Sequence, residues 1–164
     1  MQLFILDSDP VAAVRSLADV HLVKMCLETA QILSSVMVRR GLTPAAGMPK
    51  PYNLRHPVIV AADTPEKVAW VTAYNAALHA EYRYRFGRTH RYAPLAELYS
   101  AMLDPDGIPG ECRGLARVFR DFTVEERDLV AAHRCYYRFK KGRIARWRYT
   151  KRPEPEWLTV PDGE

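Results

Sequence analysis

Apolar residues recur at helical spacing along most of the chain, and cap or stop residues separate the runs. From Asp9-Pro10, with Asp as N-cap and Pro at the first helical position, the pattern continues to Arg40, where Gly41 supplies a stop. This predicts a first helix of roughly 30 residues, about 45 Å long at 1.5 Å per residue. Residues 42–57, rich in Pro and containing Gly47, read as a loop. Thr64-Pro65-Glu66 opens a second helix that runs through Trp70 and Tyr82 and stops at Gly87. A shorter helix is expected over Pro94–Leu103, followed by a turn-rich stretch to Gly110. Thr123 and Glu126 fit a capping box for a helix over Val124–Lys141, with Gly142 a break before Ile144–Trp147. Leu3–Leu6 has strand composition but no second strand to pair with. The elements predict an all-α fold, a compact helical domain spanning residues 1–164 around a long central first helix.

Composition adds a charge asymmetry. The net charge is +5, yet residues 1–82 hold seven Lys/Arg against seven Asp/Glu, so the whole excess is C-terminal. Residues 138–152 concentrate eight cations (Arg138, Lys140, Lys141, Arg143, Arg146, Arg148, Lys151, Arg152) interleaved with Phe139, Trp147 and Tyr149. Such a segment can neutralise phosphates while its rings stack on bases; the plainer reading is a solvated basic helix. No apolar run is long enough to cross a bilayer, and Asp7 interrupts the N-terminal apolar stretch too early for a signal peptide, so a cytoplasmic protein without a membrane partner is expected. Cys26, Cys112 and Cys135 are odd in number and far apart, which suits packed thiols better than a disulfide framework or a cysteine-based zinc site.

The first helix carries the candidate chemistry. At 100° per residue, His21, Lys24, Glu28 and Gln31 share an arc of about 80°. Leu17 lies within the arc, Val20 and Leu27 border one edge, and Met25 and Ile32 border the other. A helix apolar nearly all round is normally central and buried, so an imidazole, an amine and a carboxylate on it are expected to line a cleft or bond to one another. The structural alternative is an internal network with a Lys24–Glu28 pair and His21 bonded to a loop carbonyl. Metal binding by the stripe is disfavoured, because His21 and Glu28 stand about 10.5 Å apart along the axis and no HExxH or ExxH spacing occurs. No GxSxG, GxxxxGK[ST] or GxGxxG motif is present, and no metal or organic cofactor is expected.

The stretch Leu17-Ala-Asp-Val-His-Leu22, with Glu28 seven residues after His21, resembles the first helix of the T4-type pyrimidine-dimer DNA glycosylases, the endonuclease V family. His56–Gly87, ending Ala-Glu-Tyr-x-x-Arg-Phe-Gly, is similar to the family's next helical stretch, and Arg152-Pro-x-x-x-Trp157 distantly resembles its basic and aromatic tail. The chain is also similar to phage and bacterial proteins carrying His-x-Val-Lys-Met-x-x-Glu-x-Ala-Gln, Glu-Tyr-x-x-Arg-x-Gly-x-x-His and Tyr-Tyr-x-x-x-Lys-x-x-x-Ala-x-Trp. The glycosylase resemblance implies that Glu28 is the catalytic carboxylate and that His21 contacts DNA. It also implies a nucleophilic α-amino group on a small second residue after loss of Met1. Here residue 2 is Gln, whose bulk is expected to leave Met1 in place. Two routes stay open: Lys24 acts as the amine, made neutral by burial, or the enzyme is monofunctional and Glu28 stabilises the cationic sugar or activates water.

Further nucleic-acid contacts are expected from Gln31, from Asn53, Arg55 and His56 in the Pro-rich loop, and from Arg85, Arg88 and His90 at the end of the second helix. Tyr136, Tyr137, Lys141, Arg143, Arg146 and Trp147 complete the set. The expected activity is removal of a damaged or modified base from DNA, double-stranded with the target flipped or distorted, with lyase chemistry an accompanying option. The competing readings are a noncatalytic nucleic-acid-binding protein and a transferase acting on nucleotides or DNA bases through the same pocket.

Overall fold

The computed structural model describes residues 1–159, and among these all regular structure is helical. The helices are α1 (Pro10–Arg15), α2 (Asp19–Arg39), α3 (Pro57–Ala61), α4 (Pro65–Phe86), α5 (Ala96–Leu103), α6 (Leu129–Lys141) and α7 (Glu156–Thr159). A 3-10 turn at Ala93–Leu95 leads into α5. The long α2 and α4 pack on each other, and α1 and α5 both lie against α4. No helix among the described residues is long and apolar enough to cross a membrane.

The expected single helix over residues 10–40 is two helices. Asp9 caps α1 as predicted, its carboxylate accepting from Val11 and Ala12 N–H, but Ala18 is extended at φ −64°, ψ 154° and the helix restarts at Asp19. Periodicity passes through the break unaltered because the cause is tertiary. The buried Arg85 guanidinium donates to the carbonyls of Arg15 (2.9 Å) and Leu17 (2.7 Å), and the Tyr149 hydroxyl donates to the Ser16 carbonyl (3.1 Å). Tyr137 Oη accepts from Ala18 N–H (2.8 Å), and the Arg148 carbonyl accepts from Asp19 N–H (2.9 Å). Five backbone groups at the break, the Arg15, Ser16 and Leu17 carbonyls and the Ala18 and Asp19 N–H groups, thus find partners outside the helix.

Two other boundaries move. The α6 helix begins at Leu129, not Val124, because Asp128 is the N-cap, its carboxylate accepting from Ala131 N–H at 2.7 Å. Glu126, the expected capping-box partner of Thr123, accepts from Asp128 N–H instead. Residues 144–147 form a turn rather than helix. The loop before α4 contains the unexpected short α3, capped by His56. The α4 prediction holds at both ends, with Pro65 in the first turn and Gly87 closing the helix in the left-handed region at φ 67°.

Leu3–Leu6 forms no strand. It is an extended plug, each side chain 0–1% exposed, threaded into the core against α2 and α6 residues. Arg134 donates to the Leu6 carbonyl (2.8 Å) and pairs with Asp7 (3.1 Å), which holds the end of the plug to α6. The long irregular stretch before α6 is pinned at Gly110, where a Cβ would come within 2.6 Å of the Trp70 backbone nitrogen. Only glycine allows that approach.

Candidate active site and nucleic-acid interface

The N-terminal plug brings residue 2 beside α2, and this assembles the site. Glu28 Oε2 accepts from the Gln2 backbone N–H at 3.1 Å, while Oε1 pairs with Lys24 Nζ at 3.3 Å, one helical turn away. The carboxylate side chain is 17% exposed, held in a fixed orientation yet reachable by solvent. Its two partners, Gln2 and Lys24, line a cleft of about 530 Å³. Its other walls come from Met1, Phe4 and His56, from Val118–Asp121, and from Tyr136, Phe139, Lys140, Arg143 and Ile144. The volume falls within the range of small-molecule sites, roughly 300–1,000 Å³. Four cations (Lys24, Arg120, Lys140, Arg143) face one acid, Asp121, across it, and rings supply apolar wall.

The stripe predicted on the first helix is turned from its expected setting. Val20, Val23 and Leu27 are 39–44% exposed and Lys24 is exposed, whereas His21 is buried. The solvent face of α2 is rotated by roughly 70° from the centre of the predicted arc. His21 packs on Phe4, Tyr137 and Trp147 at ring-centroid distances of 4.6–5.2 Å. Tyr137 Oη accepts from Ala18 and so gives its proton to His21 Nδ1 (2.8 Å), which fixes the neutral Nε2–H tautomer. Burial, with the positive charges of Lys140 and Lys24, lowers the His21 pKa to about 3. His21 therefore holds the plug, α2 and α6 together rather than facing a ligand. Lys24, expected in a buried setting, has a side chain that is 50% exposed.

Lys140 is the amine that sequence reasoning passed over. It lies in the cleft above the Tyr136 ring (5.4 Å), and burial together with the charges of Lys24 and Arg143 brings its pKa below the usual lysine range, with Glu28 opposing. The signal was in the basic segment, but only the fold selects which of the eight cations, Lys140 and Arg143, line the cleft. His56 shares the cleft, its pKa lowered by burial and the Met1 ammonium against the pull of Glu28. Gln31 is half-buried one turn beyond Glu28. Asn53 and Arg55 are exposed and joined by a turn in which Asn53 Oδ1 accepts from Arg55 N–H (3.0 Å).

Several other predicted contacts are tied into the fold. Arg85 is 2% exposed and clasps Glu81 (2.8 Å) and Asp19 (3.0 Å) besides its two carbonyls. Burial would raise the Glu81 carboxyl, but bonds from Arg152 and Arg85 outweigh it and hold the group below its ordinary range. Tyr137 is sealed in the core, and Trp147 packs on it at 4.8 Å. Tyr136 is also buried, yet it reaches the cleft wall. Arg88 lies exposed over the Tyr82 ring, and His90 stacks on His79, away from the cleft lining. Lys141 is ion-paired with Glu154, Arg152 with Glu81, and Lys151 donates to the Tyr84 carbonyl. The basic segment is thus no uniform track. Arg143, Arg146 and Arg148 remain exposed, the last two beside Val20 and Val23 in a groove that continues the outward face of α2.

A family model described as pyrimidine dimer DNA glycosylase matches residues 1–94. The chain belongs to the pyrimidine dimer DNA glycosylase family. A DNA glycosylase of this family takes DNA as its substrate. No curated protein and no solved structure matches the chain. The matched span of this glycosylase contains Glu28 and one side of the cleft. The opposite wall, with Arg120, Lys140 and Arg143, comes from residues beyond it.

Proposed function

We propose that this protein is a DNA N-glycosylase that removes a damaged pyrimidine, with Glu28 as the catalytic carboxylate. The observation that carries the reading is the placement of Glu28: a carboxylate fixed by Gln2 N–H and Lys24 at the edge of a cleft rich in cations and rings. Phosphates on either side of a lesion meet Arg120, Arg143, Arg146 and Arg148, while the extruded base enters the cleft against Tyr136 and Phe139. As the C1′–N bond breaks, positive charge develops on the sugar and the Glu28 carboxylate stabilises it. A water directed by the same carboxylate adds its oxygen to C1′, its proton passing to Glu28, and the base leaves with the bonding electrons. Lys24 and the Gln2 N–H act by positioning the carboxylate.

The place of Lys140 in the cleft wall, over the Tyr136 ring, supports a second route there, and burial with the charges of Lys24 and Arg143 lowers its pKa in the same direction. The Lys140 amine attacks C1′ as the base leaves with the C1′–N electrons. Loss of the resulting ammonium proton to Glu28 or water and opening of the C1′–O4′ bond give an iminium, from which loss of a C2′ proton and expulsion of the 3′-phosphate would break the strand. Borohydride reduction during turnover on ultraviolet-irradiated duplex DNA separates the routes. A trapped adduct that maps to Lys140 and is lost in Lys140→Met supports the lyase route. An adduct at Lys24 or Met1 assigns the amine elsewhere, and base release with no adduct supports hydrolysis. Absence of base release from irradiated duplexes and from a panel of modified pyrimidines, with DNA binding intact, would leave a binding protein and overturn the proposal.

A further inference from the structure

On the side of α2 away from Glu28, three metal-ligating side chains meet, and several buried polar atoms on α2 and α4 have no partner among the described residues. Cys26 Sγ and ring nitrogens of His79 and His90 all lie within 4.8 Å of one another. His79 is 6% exposed, and neither of its ring nitrogens is hydrogen-bonded. Asn75, one turn earlier on α4, has both amide atoms buried and unpaired, and so is the Thr29 hydroxyl, one turn beyond Cys26 on α2. Leaving a buried polar group unsatisfied is costly to the fold. Several such groups on the facing helices α2 and α4 call for an occupant that supplies the missing contacts.

The donor types select that occupant. One thiol with two imidazoles is a set that zinc accepts, whereas magnesium and calcium take oxygen ligands. We propose that Cys26, His79 and His90 form a structural zinc site that ties α2, α4 and the segment after Gly87 together. Bond lengths of about 2.3 Å to sulfur and 2.0–2.1 Å to nitrogen require the donors to draw in by roughly 1 Å. The half-exposed His90, outside any helix, is the one free to move. Its Nδ1 now accepts a long bond from Tyr92 N–H (3.3 Å); ligation through Nε2 places the ring proton on Nδ1 and releases that contact. Asn75 or a water completes four-coordination.

Binding through the two imidazole lone pairs replaces the thiol proton: Cys26–SH and Zn²⁺ give Cys26–S–Zn⁺ and one H⁺. Cys26 stands about 160° around the α2 axis from Glu28, so the metal takes no part in the cleft chemistry.

The test is titration of the metal-depleted full chain with Co²⁺ and then Zn²⁺, each alone. The site predicts a thiolate-to-cobalt charge-transfer band saturating at one equivalent, bleached by one equivalent of Zn²⁺, and a thermal midpoint that rises with Zn²⁺. His90→Ala, a change at a half-exposed position, should weaken Zn²⁺ binding by more than the about 10- to 100-fold that loss of an outer-shell partner costs. Cys26→Ala should abolish the charge-transfer band. The proposal is overturned if the wild-type chain shows no such band, if the band survives Cys26→Ala, or if His90→Ala binds Zn²⁺ as tightly as wild type. If Cys26→Ala does not fold, the wild-type spectrum and the His90→Ala affinity decide. Glu28→Gln should leave every one of these readings unchanged, which keeps this test independent of the glycosylase reading.

Discussion

Replacing Arg85 with Met removes four hydrogen bonds from one buried guanidinium: to Glu81, Asp19 and the carbonyls of Arg15 and Leu17, at 2.7–3.0 Å. The carboxylates are not stranded altogether. Glu81 keeps both contacts to Arg152 at 2.9 Å, and Asp19 keeps the Thr150 backbone and hydroxyl. The two carbonyls at the α1–α2 break lose their partner outright, at about 1–3 kcal/mol each. Removing one member of a buried ion pair costs about 3–5 kcal/mol when nothing replaces it. Because the carboxylates retain partners, a total near 4 kcal/mol is expected, equivalent to a fall in thermal midpoint of about 8–16 °C for a chain this size. Urea unfolding followed by tryptophan fluorescence measures it, with Arg85→Lys as the comparison. Lysine restores a charge but not the fork, so it should recover only part of the loss. A loss below about 1 kcal/mol for Arg85→Met, with an unchanged dependence on urea, would refute the view that this guanidinium fixes the break between α1 and α2.

Acid should destabilise the fold well above the carboxylate range. The pKa values of His21 and His133 are each lowered to about 3 by burial first, so between about pH 6.5 and 3 the unfolded chain binds protons that the native protein refuses. Stability contributed by keeping each imidazole neutral is full above the unfolded value and lost on acidification, by about 2 kcal/mol per histidine at pH 5. Equal urea midpoints at pH 7 and pH 5 would contradict the burial of these rings. The basic segment makes a contrast between cations: changing Arg143, Arg146 and Arg148 to Ala should lower the slope of log affinity against log salt by about 0.9 for each one that meets a phosphate. Lys141→Ala and Lys151→Ala should barely move it, because both amines are held by Glu154 and the Tyr84 carbonyl. A slope that responds equally to both sets would show that these intramolecular contacts do not decide which cations meet DNA.

The all-α class, the cap at Asp9, the start of α4 at Pro65 and the stop at Gly87 were legible because each is a local event, decided by neighbours in sequence. Glu28 was singled out as a candidate for a different reason: its spacing from His21 resembles the first helix of the family, and a spacing can be read whatever the helix packs against. What could not be read was decided by distant residues. The break at Ser16–Ala18 depends on Arg85, Tyr137, Tyr149 and Arg148, all more than sixty positions away. The inward turn of His21 depends on Phe4 and Tyr137 filling the side that an isolated helix leaves open. The basic segment looked uniform because charge is counted along the chain, whereas acids at 81 and 154 neutralise part of it in space. The same limit hid the Cys26, His79 and His90 cluster, whose members carry no recognisable ligand spacing.

The central claim is that the Glu28 carboxylate, held by Gln2 N–H and Lys24, performs the bond-breaking step on a base lodged in the adjoining cleft. Single-turnover base release from a duplex carrying one cyclobutane pyrimidine dimer, compared between wild type and Glu28→Gln, tests it most directly. The amide fills the same space and can still accept the Gln2 N–H, so lesion binding by fluorescence anisotropy should persist while the rate falls by about 10²-fold or more. Wild-type release with an undiminished rate in Glu28→Gln would contradict the account.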